Sequence, residues 1–302
     1  MANITVTEAA GFIPQVWAAT ALGALKANTV MLQLVNHDYE NEYHNVGAIL
    51  NIPRRGALSV NDKTANTDIT LQTPTADTIP LTLNKHKDVS FAVEDIAKAQ
   101  ANQDIINGYV IDAMIALAHQ IDDDILGLYS GFSSTPLDAR TGSGGVVVNT
   151  IIEAQRLFNK ALVPQENRSI VWGEDAQAEL LKLNQFTNAQ YDPANATALE
   201  NATMGRKYGF NHYMDQRVIQ TGGEVKNLAL HKNAIMFATR PLAMPPDGYG
   251  VQSATMSEDG IGLRVMYGYS ILKKAMIVSI DVLYGVAKER DNRGLVIRST
   301  DI

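Results

Sequence analysis

Apolar residues recur at steps of three and four along residues 104–129, DIINGYVIDAMIALAHQIDDDILGLY. Ile106, Val110, Ala113, Leu117, Ile121, Ile125 and Leu128 share one face of a helix. No proline interrupts the stretch, and Gly131 and Pro136 stand ready to stop it. At ~1.5 Å per residue the helix would run roughly 39 Å, well beyond the average of ~11–12 residues. A stripe of that length calls for a long partner surface, such as a sheet laid along it. Two features sit oddly on it. Gly108 costs about 1 kcal/mol against alanine in a helix interior. Asp122, Asp123 and Asp124 stand toward the C-terminal end, where the helix dipole disfavours negative charge. Three consecutive helical residues point in different directions, which argues against a metal site. They read either as a solvated acidic face or as a contact for a basic surface on a neighbouring subunit.

Elsewhere the period changes. Val46, Ala48, Leu50 and Ile52 alternate with smaller or polar residues, as in a half-buried strand. Pro53-Arg54-Arg55-Gly56 interrupts them, and Asn61-Asp62-Lys63 makes a polar tip. Alternation resumes at Ile79, Leu81 and Leu83 and continues through Val89, Phe91 and Val93. The spacing predicts a long hairpin-like excursion over about 47–90. Such a hairpin lacks a core of its own, so something else must hold it, and another chain is a good candidate.

Before the excursion, Pro14 suits a first helical turn. Ile13, Trp17, Ala21, Ala24 and Leu25 form a stripe, and Asn28 can close the helix. Trp17 reads as core or interface. Asp95 is placed to cap the approach to the long helix. Residues 150–219 read as an α/β unit. Thr150 and Glu153 form a capping box ahead of a helix ending near Leu162 before Pro164. A buried strand at 169–172, a helix at 174–183, a polar loop at 184–202 and an extended run at 208–218 follow. Gly222-Gly223 marks a boundary. Residues 228–238 are buried, Ile261, Leu263, Val265 and Tyr267 alternate, and 276–286 is a more continuous apolar strand. The expected organisation is an arm at 1–45, an extended loop at 46–91, a discontinuous domain at 92–149 and 225–302, and an inserted domain at 150–224.

Composition narrows the function. The chain has 302 residues, 46% hydrophobic and 19% charged, with a net charge of −7, a globular composition with material for a sizeable core. The acidic balance disfavours a sequence-independent basic grip on nucleic acid. Cysteine is absent, which excludes disulfides, thiolate metal sites and cysteine nucleophiles. The first residues lack a basic region followed by an apolar run, and no stretch of about 18 apolar residues predicts a membrane span. The six histidines show no metal-ligand spacing. Neither a Gly-x-Ser-x-Gly elbow nor a Gly-x-Gly-x-x-Gly fingerprint occurs. The glycine-rich piece 141–145 lacks the Gly-Lys-Ser/Thr ending of a phosphate cradle. No catalytic residue, cofactor or metal is expected.

The order of elements, with several short motifs, resembles the major capsid protein of tailed bacteriophages, the Hong Kong 97 fold. The motifs are Phe12-Ile13-Pro14-Gln15-Val16-Trp17, Val89-Ser90-Phe91-Ala92-Val93-Glu94-Asp95, Pro164 with Asn167-Arg168, Tyr208-Gly209-Phe210, and Leu230-His231-Lys232-Asn233-Ala234-Ile235. The resemblance implies an α+β fold with an N-terminal arm, an extended β-hairpin (the E-loop), a spine helix in a peripheral domain, and an inserted axial domain. It implies pentamers and hexamers in an icosahedral shell around DNA, bound without sequence specificity. Portal, scaffolding and decoration proteins are the implied partners. The implied location is the virion, after assembly in the host cytoplasm. Some relatives carry a cleaved N-terminal scaffolding extension; here the arm motif begins within a dozen residues of Met1, so scaffolding would be separate or unnecessary. Some weld subunits by Lys–Asn bonds, and Lys63 lies in a plausible region for that. Arg54 and Arg55 are candidates for intersubunit ion pairs, with Asp122, Asp123 and Asp124 as partners. An encapsulin-type nanocompartment and a hydrolase with an unrecognised site are the alternatives.

Overall fold

The computed structural model describes residues 18–25, 29–39, 49–56, 58–73, 76–94, 104–132, 137–139, 146–187, 204–246, 250–258 and 261–300. Trp17 with the rest of the arm motif, Asn28, Asp95, the piece 141–145 and residues 188–202 of the polar loop lie outside them.

The helices are α1 (residues 18–25), α2 (Asp104–Leu126), α3 (Val148–Lys160), α4 (Glu174–Leu181) and a single turn α5 (Asn184–Thr187), the last where the polar loop was expected to begin. In chain order the strands are β1 (Ile49–Arg55), β2 (Ala76–Thr82), β3 (Lys85–Glu94), β4 (Leu137–Asp138), β5 (Arg168–Trp172), β6 (Arg206–Lys207) and β7 (Phe210–Met214). Then come β8 (Glu224–His231), β9 (Ile235–Thr239), β10 (Val251–Glu258), β11 (Ile261–Ser270), β12 (Ala275–Lys288) and β13 (Gly294–Thr300).

The stripe on α2 is buried as its period requires. Val110, Ala113, Met114, Leu117, Ala118, Ile121 and Ile125 join one core with Ala18, Ala21, Leu22 and Leu25 of α1 and with Leu263, Val265, Val278, Ile280 and Val282. The long partner surface is a five-stranded sheet ordered β10-β11-β12-β3, with β9 also pairing with β12. All of its pairings are antiparallel. The helix ends at Leu126, and a 3-10 turn over Gly127–Gly131 carries Leu128 and Tyr129 against the same core.

A second sheet runs β4-β13-β8-β5-β7-β6. One of its faces sends Val171, Leu228, Leu230 and Val296 into the main core. The other sends Ile170, Trp172, Ala229, Leu295 and Ile297 onto Ile151, Ala154 and Phe158 of α3 and Ala176 and Leu180 of α4. Covering both faces explains why β5 and much of β8 read as continuous apolar runs. Asn227 brackets this sheet: its side chain accepts from the Gly173 N–H at 2.8 Å and donates to Ile297 O and Ser299 Oγ.

Sheet membership crosses the boundaries expected from sequence. β8 and β13, read as part of the discontinuous domain, supply the middle of the sheet that holds β5 and β7. Gly222 and Gly223, both at positive φ, form the turn closed by Thr221 N–H to Glu224 O and lead straight into β8. The expected capping box also does not form. Val147 is the N-cap residue of α3, Thr150 is buried, and Glu153 turns to Arg156 instead. At the other end of α3, Arg168 is buried and donates to Pro164 O, Val163 O and Asn159 Oδ1. One side chain thus donates to the carbonyls of the turn after the helix.

Candidate assembly surface

The described residues contain no group of three His, Asp or Glu that could hold a metal ion. The features that ask for a partner lie on the ribbon β1–β2 and on α2.

β1 and β2 pair with Ile49 opposite Thr82 and Arg55 opposite Ala76. Leu50, Ile52, Ile79 and Leu81 share one face, since residues directly opposite in an antiparallel pair point the same way. That face packs on Met236, Ala238, Leu283 and Ala287 of β9 and β12. The base of the hairpin therefore has a seat within its own chain. Gly285 in β12 allows it: a Cβ there would lie 2.9 Å from the Thr82 carbonyl carbon and closer still to its oxygen. Residues 85–91, read from alternation as part of the excursion, belong to β3 and are bonded to β12 from Lys85–Tyr284 to Glu94–Ala275. Alternation marks a strand without naming its partner, and the ribbon itself ends at Thr82.

Beyond Arg55 nothing in the described chain covers the hairpin. Farther out, Ser59 meets the side chain of Gln72: its N–H donates to Gln72 Oε1 at 2.9 Å and its carbonyl accepts from Gln72 Nε2 at 2.5 Å. On the two arms around that contact, the apolar residues Leu58, Val60, Ile69 and Leu71 are 67%, 97%, 68% and 85% exposed. Lys63 closes the tip. Its ammonium donates to Thr64 O at 2.7 Å and to Thr67 O, so it serves the turn as well as being solvated. Arg54 is exposed on β1 opposite Asp77. Arg55 is placed by its backbone, opposite Ala76.

The three aspartates do not form a solvated acidic face. Successive helical residues diverge by about 100°, and each meets a different part of the same chain. Asp122 is 1% exposed and accepts from the N–H groups of Val30 and Met31 at 3.0 and 3.2 Å. Asp123 takes a two-pronged bond from Arg217, with Nε to Oδ1 at 2.8 Å. Asp124 accepts from the Tyr284 hydroxyl at 2.5 Å and pairs with Lys85 at 2.9 Å. Asp122 is thereby removed as an exposed partner for Arg54 or Arg55. Burial pushes the Asp124 carboxyl upward, but the Tyr284 hydrogen bond with Lys85 and Lys87 holds it below the usual range. At Asp122 burial prevails and raises the carboxyl to about 7.

Two features escaped the sequence reading. His212, unremarked there, is buried, accepts from Trp172 Nε1 at 2.9 Å, and is depressed by burial to about 4, so it stays neutral. The β11–β12 turn exposes Ile271 and Leu272 beside Lys273 and Lys274. The run Tyr269-Ser270-Ile271-Leu272 breaks the strand alternation and could have signalled it.

A family model described as phage capsid protein matches residues 40–242. Among solved structures, one from Mycobacterium phage Che8 is similar at a TM-score of 0.65 and 19% identity, covering 89% of this chain and 90% of that chain. The capsid structure of Cyanophage P-SCSP1u is similar at 0.61 and 12%, covering 83% of each. One from Microbacterium phage Oxtober96 is similar at 0.59 and 14%, covering 89% and 90%. Comparison with curated proteins finds no match. At these identities the structural likeness shows the fold, and the Hong Kong 97-like α+β plan implied by the sequence motifs is borne out.

Proposed function

The chain belongs to the phage capsid protein family and is a shell-forming major capsid protein, and from that premise we propose how its copies hold together. The observation that carries the reading is the ribbon face that is buried at its base and bare at its end. The distal face docks on a second copy and supplies the cover that its own chain withholds. Burying four such side chains is worth about 6–12 kcal/mol, at ~1.5–3 kcal/mol each, before the cost of association. That suffices for a contact repeated around a closed shell.

In this reading α2 with the five-stranded sheet is the rigid tile, and it corresponds to the spine helix and peripheral domain. The unit around 150–224 is the axial domain, and its polar loop approaches the centre of a pentamer or hexamer. Trp17, Arg54, Arg55 and Lys63 lie at subunit contacts, with Asp123 and Asp124 reaching them only by exchanging in-chain partners. Isolated exposed pairs give about 0–1 kcal/mol each, so the arginines tune assembly more than they drive it. The shell encloses double-stranded DNA without reading its sequence, and the net −7 charge keeps the wall from gripping it. The protein has no enzymatic activity. It meets a portal, scaffolding and decoration proteins, and it assembles in the host cytoplasm. The family match favours this reading over a protein-filled nanocompartment and over a hydrolase.

Electron microscopy of particles formed by the wild type and by Val60→Asp/Leu71→Asp tests the docking. Closed shells from the wild type and soluble folded subunits from the variant are expected. Normal shells from the variant would exclude the distal face as the contact. An Arg54→Ala/Arg55→Ala variant that assembles normally at every salt concentration would remove the arginines from the interface.

A further inference from the structure

Four elements of the second sheet's unit meet at one side chain, His212 of β7. Its ring is buried. It stacks on the Trp172 ring of β5 at 6.1 Å between centroids and 4° between planes. Phe186 of α5, itself buried, meets it edge-on at 5.4 Å and 89°. Lys207 of β6 supplies the fourth contact through its carbonyl, 3.2 Å from His212 Nε2.

The two polar partners fix the state of the ring. An indole N–H can only donate and a backbone carbonyl can only accept. The first stands 2.9 Å from Nδ1 and the second faces Nε2. Both are satisfied at once by the neutral imidazole with its hydrogen on Nε2. The main chain runs alongside, with the His212 N–H donating to Gly205 O at 3.1 Å. The ring therefore joins β5 to residues on both sides of the polar loop, Phe186 before it and Gly205 to Lys207 after it.

A second proton has no place there. On Nδ1 it would face the hydrogen of the indole, donor against donor, and the Trp172 bond would be lost. Among the described residues no carboxylate pairs with the imidazole. β6 brings Lys207, whose ammonium lies over the Phe186 ring at 5.6 Å, and the exposed Arg206. β5 brings Arg168, committed to the carbonyls after α3. Asp215, beyond β7, accepts from the Arg217 N–H. α5 carries no charge.

We propose that His212 is an acid-operated clasp. Neutral, it holds Trp172, Phe186 and the Lys207 carbonyl together; protonated, it lets go of the indole and frees α5 and residues 204–207. Burial lowers the imidazole to about 4 against the pull of the Lys207 carbonyl, with the Lys207 ammonium on the side of burial. A group lowered in the folded chain binds fewer protons there than when unfolded. Its stabilisation is present above the ordinary value of 6.5, erodes below it, and is lost as pH falls through about 4.

Hydrogen exchange of the full chain at pH 7 and pH 4, corrected for intrinsic rates, tests the clasp at residues 184–187 and 204–214, with β12 as the internal reference. Protection about 100-fold lower at pH 4, relative to β12, is expected for one histidine titrating near 4 when closed and near 6.5 when open. His212→Gln, whose amide accepts and donates without titrating, should lose that pH dependence. A flat wild-type ratio, or a Gln variant that keeps the wild-type loss, overturns the proposal. Should His212→Gln not fold, the wild type decides by solid-state nitrogen NMR of labelled histidine. A hydrogen on Nε2 and a midpoint well below 6.5 are expected; a hydrogen on Nδ1, or a midpoint at 6.5 or above, overturns the clasp.

Discussion

Leu81 and Leu71 lie on the returning arm of one hairpin, yet Leu81 is fully buried and Leu71 is 85% exposed. Both halves alternate apolar with polar residues, though the ladder is recorded only for the inner one. They differ only in what lies beneath them. The inner half rests on Met236 and Ala238 of its own chain, and the outer half projects past the edge of the fold. A pattern maintained where the chain cannot cover it points to cover from outside, because a strand with a bare apolar face is otherwise a liability. The inner half therefore belongs to folding and the outer half to assembly.

The sharpest test separates those two roles by substitution. Leu81→Ala removes a fully buried side chain and should cost about 2–5 kcal/mol, read as a lower denaturation midpoint of the unassembled chain. Leu71→Asp should leave that midpoint within about 0.5 kcal/mol while abolishing shells under electron microscopy. A large stability loss from Leu71→Asp would show that the outer half has an intramolecular seat, and the comparison would fail.

Gly285→Ala attacks the seat rather than the ribbon. The added Cβ cannot coexist with the Thr82 carbonyl, so β2 or β12 must shift, at about 1–3 kcal/mol. The inner ribbon should then lose hydrogen-exchange protection while the β1–β2 pairing persists. Unchanged protection would mean that side-chain packing alone holds the base.

This division was half legible in the sequence. The period of three and four on α2 and the alternation on both sides of the 61–63 tip report how each element presents its faces, and those elements formed. What alternation cannot report is the neighbour. Residues 85–90 looked like more hairpin because a strand of the five-stranded sheet alternates in the same way. β8 and β13 fall in the stretch read as 225–302, yet they pair with each other and β8 with β5, and such long-range pairing leaves no local mark. The aspartates failed differently. Three like residues in a row suggested a shared role, but helix geometry sends them to a backbone turn, an arginine and a tyrosine. The apolar tip residues Leu58, Val60, Ile69 and Leu71 were legible all along, obscured by the polar residues between them.

Asp124 sharpens the comparison at the junction where the ribbon gives way to β3. It ties α2 to Lys85 at the start of β3 and to Tyr284 of β12, beside the seat. Tyr284→Phe should cost about 1 kcal/mol through loss of that hydrogen bond. Because the Asp124 pKa is depressed in the folded chain, its stabilisation is present above the unfolded value and is lost as pH falls through the folded one. The variant should therefore show a shallower acid-side decline in thermal midpoint than the wild type. Equal slopes would mean that the lysines alone hold the carboxylate. Asp122, two residues earlier on the same helix, has the opposite sign, losing its contribution as pH rises.

The smallest effect expected is at Gly108, on the exposed face of α2 near its start. A Cβ there meets nothing within 4 Å, so within one chain the glycine has no packing reason to remain. Gly108→Ala should raise the stability of the unassembled chain by up to about 1 kcal/mol through backbone entropy and helix propensity. The same logic that reads the outer ribbon then applies to the helix. If the variant is more stable and still forms shells, the exposed face of α2 stays open in the particle. If it is more stable and shells fail, that face lies against a second copy closely enough to exclude a methyl group. The assembly surface would then extend from the ribbon onto the helix. A less stable variant would contradict the open space seen around Gly108.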